Sequence, residues 1–126
     1  MNIGIVGSRN FNDWELMNTV LGELCGYGGK YTTIDPTIVT GDARGADTLA
    51  VKLARYRDLF VIVHRAHWEL YGMKAGPIRN QKIVDDSDAL IAFPSKQGTG
   101  TQITIAMARK KGIPVHVVDD WEGEEE

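Results

Sequence analysis

Residues 89–101 read ALIAFPSKQGTGT, and this stretch decides the fold class. Its first five residues are all apolar, as expected of a parallel strand that is covered by helices on both faces. The glycines and threonines that follow stand before a helical pattern, which we expect to run from about Thr101 to Lys111 and to stop at Gly112. A buried strand, a glycine-rich loop and a helix in this order indicate an α/β protein.

The same alternation of strand and helix extends along the chain in both directions. Strands are predicted near Ile3–Val6, Thr37–Thr40, Phe60–His64, Ala89–Phe93 and Pro114–Val118. Further helices are predicted at Asp13–Cys25 with Asn12 or Asp13 as N-cap, at Ala46–Tyr56, and from Pro77 through Val84. Right-handed crossovers favour a Rossmann-like three-layer sandwich with a mainly parallel five-stranded sheet of order 3-2-1-4-5. In that order the winding reverses between strands 1 and 4, and ligands bind in the crevice that opens there.

Composition and charge limit the classes of protein to which this chain could belong. The chain has 126 residues, of which 43% are hydrophobic and 25% charged, which is enough for one globular domain. The formal net charge is -3, but four of the 17 acidic residues lie within 122–126, so residues 1–121 are near neutral. A near-neutral body argues against binding of duplex DNA through a broad basic face. We expect one domain over residues 1–121, followed by a solvated acidic tail at 122–126.

Cysteine content and hydropathy indicate the cellular compartment in which we expect the protein. Cys25 is the only cysteine and forms no internal disulfide, so we expect a reducing compartment, the cytoplasm. No apolar run approaches the roughly 20 residues that span a bilayer, and no signal-peptide pattern is present, so we expect a soluble protein without a membrane partner. His64 and His67 have no third ligand nearby in sequence, so we expect neither a metal site nor a resident cofactor.

The loop after strand 1 reads GSRNF at 7–11. Gly7 permits a sharp turn, Ser8 offers a hydroxyl, and Arg9 is able to place two donors on a phosphate. These residue types favour an anion site, although an ordinary turn from strand to helix explains the same pattern.

The loop after strand 2 reads GDARGAD at 41–47 and opens a helix, whose first N–H groups favour an anion. It lacks the third glycine of the dinucleotide fingerprint and the Gly-Lys-Ser/Thr of a Walker P-loop, so a ligand site here is of another type. The candidate ligand-binding residues are Gly41, Asp42, Arg44 and Asp47, with the carboxylates placed for ribose hydroxyls. The alternative is a tight turn in which Asp47 satisfies amides at the helix start.

The loop after strand 4 is the most phosphate-like of the chain. Its glycines free amides to form an anion-binding concavity, and its threonines add hydroxyls. The candidate ligand-binding residues in it are Gly98, Thr99, Gly100 and Thr101.

The segment between strands 3 and 4 mixes aromatic, basic and glycine residues over 66–80. Trp68 or Tyr71 is suited to stacking on a base, and Arg79 with Asn80, in the first turn of the next helix, is suited to phosphate or sugar. A buried anchor that holds the loop down is the alternative role for Trp68.

Together, four motifs in this order resemble the YspA-like branch of the SLOG (Smf/DprA-LOG) superfamily: GSRNF, TGDARGAD, HWELYGMKAGPIRN and GTGT. The resemblance spans about residues 2–118 and implies a Rossmann-like domain with a nucleotide-type pocket over the carboxyl ends of the strands. Members of the superfamily include phosphoribohydrolases of the "lonely guy" type, DprA-like proteins that bind single-stranded DNA, and sensor domains for signals such as ADP-ribose derivatives. The fold alone does not determine which of these activities a member has.

The resemblance also bears on catalysis. The phosphoribohydrolases use an upstream arginine, which Arg79 matches by position, and a glutamate just after the glycine-threonine loop, where this chain has Gln102. Glutamine is unable to act as a general base, so this departure argues against hydrolysis and leaves enzymatic activity uncertain. If the protein is an enzyme, the candidate catalytic residues are Arg79, Asp42 and Asp47, with one of the aspartates replacing the glutamate.

Three functions therefore stand as expectations. The first is binding of a nucleotide-derived, phosphate-bearing small molecule, of the ADP-ribose or nucleoside phosphate type, for sensing or sequestration. The second is a nucleotide N-glycosidase, and the third is a binder of single-stranded nucleic acid that stacks a base on an aromatic side chain. The basic residues available to the third function are Arg9, Arg44, Lys74 and Arg79, with Trp68 as the stacking residue. The resemblance also implies a homo-oligomer.

Overall fold

Alternate residues of the central strands face two opposite layers of helices. The computed structural model describes residues 1–121, in which all five strands are parallel and lie in the order β3-β2-β1-β4-β5. The strands are β1 (Asn2–Gly7), β2 (Thr37–Gly41), β3 (Val61–His64), β4 (Ala89–Phe93) and β5 (Val115–Val117). The helices are α1 (Trp14–Leu24), α2 (Ala46–Tyr56), α3 (Trp68–Tyr71), a 3-10 turn (Gly72–Lys74), α4 (Ala75–Asp85) and α5 (Gly100–Lys111). The predicted fold class and strand order are confirmed; the predicted acidic tail at 122–126 lies outside the described residues.

Two hydrophobic cores lie on the two faces of the sheet. From β4, Ile91 and Phe93 pack toward α1 and α2, whereas Leu90 and Ala92 pack toward α4 and α5. Every residue of β4 is buried. The unbroken apolar run of β4 follows from this burial on both faces, since a strand with one wet face alternates with polar residues.

Local sequence signals set several of the helix ends. The Asp13 carboxylate accepts a hydrogen bond from the Leu16 amide at 3.0 Å and caps α1, as predicted. At the other end of the chain, α5 stops at Gly112, which adopts a left-handed conformation with φ of +87°.

The segment 66–80 contains more helix than predicted. Trp68–Tyr71 forms a short helix, and α4 begins at Ala75, two residues before the predicted start at Pro77. Proline is tolerated this close to the start because N–H groups of the first turn have no helical partner. Arg79 therefore lies in the second turn of α4 and not in the first. Trp68 is 50% exposed, so its alternative role as a buried anchor is wrong.

Candidate ligand-binding site

A cavity lies at the carboxyl ends of β1 and β4. Gly7 of β1 pairs with Phe93 of β4, so the loops after these strands begin side by side. The winding of the sheet reverses between these two strands, which is the point where parallel sheets open a crevice. The cavity has a volume of about 790 Å³, in the range that holds small organic ligands.

Most of the predicted ligand-binding residues line one of two adjacent cavities. Those that line the main cavity are Gly7, Ser8, Arg9, Asp47, Arg79, Asn80, Gly98, Gly100 and Thr101. A smaller cavity of about 290 Å³ is lined by Asp42, Arg44 and Trp68, together with Ala43 and with Arg9 and Arg79. Gly41 and Thr99 line neither cavity.

Gly41 shapes the site without lining it. A Cβ at this position would lie 2.5 Å from an Asp47 carboxylate oxygen and 3.1 Å from Cδ of Arg79. The missing side chain therefore gives these two charged groups the space to approach the end of β2.

Two of the expected amide donors are used inside the protein. The Ser8 amide donates to the Phe93 carbonyl at 2.9 Å, and the Gly98 amide donates to the Ser95 hydroxyl at 2.8 Å. The Ser8 carbonyl accepts the amides of Phe11 and Ala46, so Ser8 joins the β1 loop to β4 and α2. These bonds order the cavity wall, and ligand contacts have to come from other groups.

The amino end of α5 supplies such groups. Its first helical hydrogen bond runs from the Ile103 amide to the Thr99 carbonyl at 3.0 Å, and no side chain of the described residues caps the helix. The amides of Gly100 and Thr101 consequently lack an intrahelical partner, and both residues line the main cavity. Together with the positive end of the helix dipole, they form a site that favours an anion.

Arg79 connects the two cavities. Its side chain is buried, its Nη1 donates to Asp42 Oδ1 at 2.9 Å, and its Nε donates to Asn80 Oδ1 at 3.2 Å. Burial works to raise the pKa of Asp42, but the hydrogen bonds from Arg79 and the Ala66 amide, with the charge of Arg79, lower this pKa below its usual value. Asp42 is therefore an ionised partner that holds the guanidinium in place.

Asp47 is the second carboxyl group beside Arg79, and only 5% of it is exposed. Burial raises its pKa to about 6, against the opposing charge of Arg79 and the hydrogen bond from the Ala43 amide. The Thr40 hydroxyl donates to the Ile5 carbonyl at 2.7 Å, so its oxygen is available to accept a hydrogen from protonated Asp47. Asp47 accordingly exchanges a proton near neutral pH at the cavity wall.

Comparison with known proteins identifies the family of the chain. A family model described as the YspA, cpYpsA-related SLOG family matches residues 1–71. The chain belongs to this SLOG family. Gene 61 protein of Mycobacterium phage D29 is 42% identical over 84 residues, which cover 62% of this chain and 67% of the phage protein.

A solved structure resembles the fold over nearly the whole chain. The X-ray structure of DNA processing protein A (DprA) from Streptococcus pneumoniae matches 95% of this SLOG protein with a TM-score of 0.72 and 18% sequence identity. The match covers 50% of the DprA chain. At this identity the likeness shows the fold alone.

Several residues of the main cavity were not predicted as ligand-binding residues. Those that line the main cavity are Val6, Asn10, Ala43, Pro94, Ser95, Lys96, Gln97, Thr104, Asp119 and Trp121. Many of them stand in or beside the predicted glycine loops. Asp119 and Trp121 follow β5 and carried no sequence signal, because only the fold brings them to this edge.

Trp121 closes one side of the cavity. Its ring packs edge-on against Phe11, with 4.9 Å between ring centroids, and the side chain is buried. Its indole N–H has no hydrogen-bond partner within residues 1–121. Unpaired polar groups of this kind are costly in a protein interior.

Residues 1–121 contain neither a group of metal-binding side chains nor a helix that could cross a membrane. No three His, Cys, Asp or Glu side chains are grouped there in a way that would hold a metal ion. None of the helices in this range has both the length and the apolar character needed to cross a membrane.

Proposed function

We propose that this SLOG protein binds a nucleotide-derived small molecule by its phosphate group, in the main cavity between the β1 and β4 loops. The observation that carries the proposal is the amino end of α5, which no side chain of residues 1–121 caps and which opens onto a cavity of about 790 Å³ beside the buried Arg79. Amides of the first helical turn, a helix dipole and a guanidinium together favour a multiply charged oxyanion.

The remaining lining groups suit the rest of such a ligand. Arg9 and Lys96 add positive charge along the wall. Asp47, on the same wall, is able to accept hydrogen bonds from ribose hydroxyls when it is ionised. Asp42 and Asn80 fix the orientation of Arg79 before a ligand arrives, which lowers the ordering cost of binding. A nucleoside phosphate or an ADP-ribose derivative has this combination of groups, and its sensing or sequestration is the function we propose.

Calorimetric titration tests the proposal. The probes are nucleoside mono- and diphosphates and ADP-ribose, each compared with the parent nucleoside without phosphate. We expect binding of at least one phosphorylated probe and a large loss of affinity for the nucleoside. Mass spectrometry of small molecules released on denaturing the purified protein identifies the natural ligand. Equal affinity for nucleosides and nucleotides would contradict a phosphate site.

Replacing Arg79 by alanine is expected to weaken binding of the phosphorylated probe by about 10- to 150-fold, from the roughly 1.5 to 3 kcal/mol of a charged hydrogen bond. The matched control is Arg109→Ala, an exposed arginine in the last turn of α5. Titration of both variants measures the effect. Equal affinity of the two variants would remove Arg79 from the binding site.

Asp47 favours a second candidate function, a nucleotide N-glycosidase. A carboxyl group with a pKa of about 6 at a cavity wall is suited to general acid catalysis near neutral pH. In this reaction the bond between C1′ and the base nitrogen breaks, protonated Asp47 gives its proton to the departing base, and water adds its hydroxyl to C1′. The remaining proton of the water returns to Asp47, which completes the cycle.

Chromatography for free base decides between binding and hydrolysis. Wild-type protein is incubated with a panel of nucleoside monophosphates, and Asp47→Asn serves as the matched variant because it keeps the shape but loses the acid. Release of base by the wild type that is lost in the variant supports the enzyme. Intact nucleotide after long incubation with a probe that binds would remove it.

A further inference from the structure

The smaller cavity lies directly beside the proposed phosphate site. It has a volume of about 290 Å³ and shares Arg9, Ala43 and Arg79 with the main cavity. Because the same residues line both spaces, a molecule held near Arg79 in the main cavity has its other end within reach of the smaller one.

Trp68 gives the smaller cavity its aromatic surface. It is the first residue of α3, and its ring is half exposed. The far edge of the indole lies 3.5 Å from the position that a Cβ of Gly76 would occupy, so the ring rests over a glycine of α4. An accessible indole on the wall of a cavity is a stacking surface for a flat aromatic group.

The other tryptophan at the site does not offer such a surface. Trp121 is buried, with its ring packed against Phe11. Within the described residues, the aromatic face that is open to a ligand in these two cavities is therefore that of Trp68.

Asp42 determines which chemical group fits beside Trp68. Its carboxylate accepts from Arg79 and from the Ala66 amide, and its side chain remains 33% exposed. An amino group or ring N–H placed beside Trp68 finds an acceptor in this carboxylate.

We infer that the smaller cavity binds the base of the nucleotide, with the base stacked on Trp68 and an N–H donor of the base directed to Asp42. This inference rests on the proposed function, since it assigns the second half of the same ligand. The phosphate then lies between the amino end of α5 and Arg79, and the sugar extends from there toward the smaller cavity.

The test compares nucleotides with the same phosphate without a base. The probes are AMP, GMP, CMP and UMP, with ribose 5-phosphate as the reference, each titrated by calorimetry. We expect at least one nucleotide to bind about 5- to 150-fold more tightly than ribose 5-phosphate, as expected from the stacking of a single base. Trp68→Ala should remove this advantage and leave the affinity for ribose 5-phosphate unchanged.

Two further variants separate stacking from a structural role. Trp68→Phe keeps an aromatic face and is expected to retain most of the nucleotide affinity. Tyr71→Ala removes another half-exposed aromatic side chain from α3 that lines neither cavity, and we expect it to bind like the wild type. Circular dichroism confirms that each variant is folded.

The outcomes distinguish this inference from the proposed function. If Trp68→Ala keeps the full preference for the nucleotide, the base subsite is wrong while the phosphate site stands. If the wild type binds ribose 5-phosphate as tightly as every nucleotide, the base subsite is again wrong. If the wild type binds neither these probes nor the nucleoside diphosphates and ADP-ribose of the first titration, both proposals are overturned.

Discussion

Replacing Gly45 by alanine is expected to lower the free energy of unfolding by about 3 kcal/mol or more, from backbone strain and overpacking together. Gly45 precedes α2 with φ of +81° and ψ of -124°, a conformation that residues with a Cβ rarely adopt. A Cβ there would also lie 2.5 Å from the carbonyl carbon of Arg9 and would collide with the Ser8 carbonyl oxygen. The strain and the collision act together, so the substitution has no low-energy solution in the native fold.

The same substitution is expected to disturb the ligand cavity. The Ser8 carbonyl accepts the Ala46 amide at 3.1 Å, so the β1 loop rests directly on the start of α2. Any shift that relieves the collision moves Ser8 and Arg9, both of which line the main cavity.

Gly28 supplies the matched control for Gly45. It has a similar φ of +75°, but no atom within residues 1–121 lies within 4 Å of the position of its missing Cβ, apart from its own chain neighbours. Gly28→Ala therefore carries the conformational cost alone, about 1 kcal/mol. Urea denaturation of both variants measures the difference. Equal losses of stability would show that the contact between the β1 loop and α2 is not constrained as the geometry implies.

Hydrophobic patterning was sufficient to predict the sheet. The apolar run Ala89–Phe93 is buried at every position, and the structure keeps its predicted bounds. Such a run reports burial on both faces, which restricts the strand to the interior of a parallel sheet. The helix α3 within segment 66–80 was harder to predict from the sequence. It is a single turn with no buried residue, so it leaves no apolar periodicity.

The candidate site was predictable where a loop carries its own signal. The glycine loops after β1 and β4 are recognisable from their residues, and the strand order brings them together. The raised pKa of Asp47 could not be predicted from the sequence, since it depends on burial that only the folded chain provides. The use of the Ser8 amide by Phe93 was equally hidden, because that bond joins residues 85 positions apart.

Replacing Asp47 by asparagine is expected to stabilise the protein relative to the wild type by an amount that grows with pH. Burial raises the pKa of Asp47 from 3.8 to about 6 in the folded state. Below pH 3.8 the carboxyl is protonated in both states and imposes no penalty. Between pH 3.8 and about 6 the unfolded chain ionises this group freely in water while the folded protein keeps it protonated, so stability falls over this range and the full penalty is present above pH 6.

The size of this effect follows from the shift in pKa. A change from 3.8 to about 6 corresponds to about 3 kcal/mol in full, of which about 2 to 3 kcal/mol develops between pH 4 and pH 8. The difference in unfolding free energy between Asp47→Asn and the wild type should therefore increase by this amount over that range. Because both proteins share every other titrating group, subtracting one from the other isolates Asp47.

Urea denaturation at several pH values between 4 and 8 measures this difference. The Asp35→Asn variant changes the same charge at an exposed carboxyl and separates the burial effect from the change in net charge. The positive charge of Arg79 opposes the rise in the pKa of Asp47, so in the Arg79→Ala background the loss of stability caused by Asp47 should be larger and extend to higher pH. A difference between Asp47→Asn and the wild type that stays constant with pH would mean that Asp47 ionises in the fold as it does in the unfolded chain, and the N-glycosidase candidate would then lose its acid.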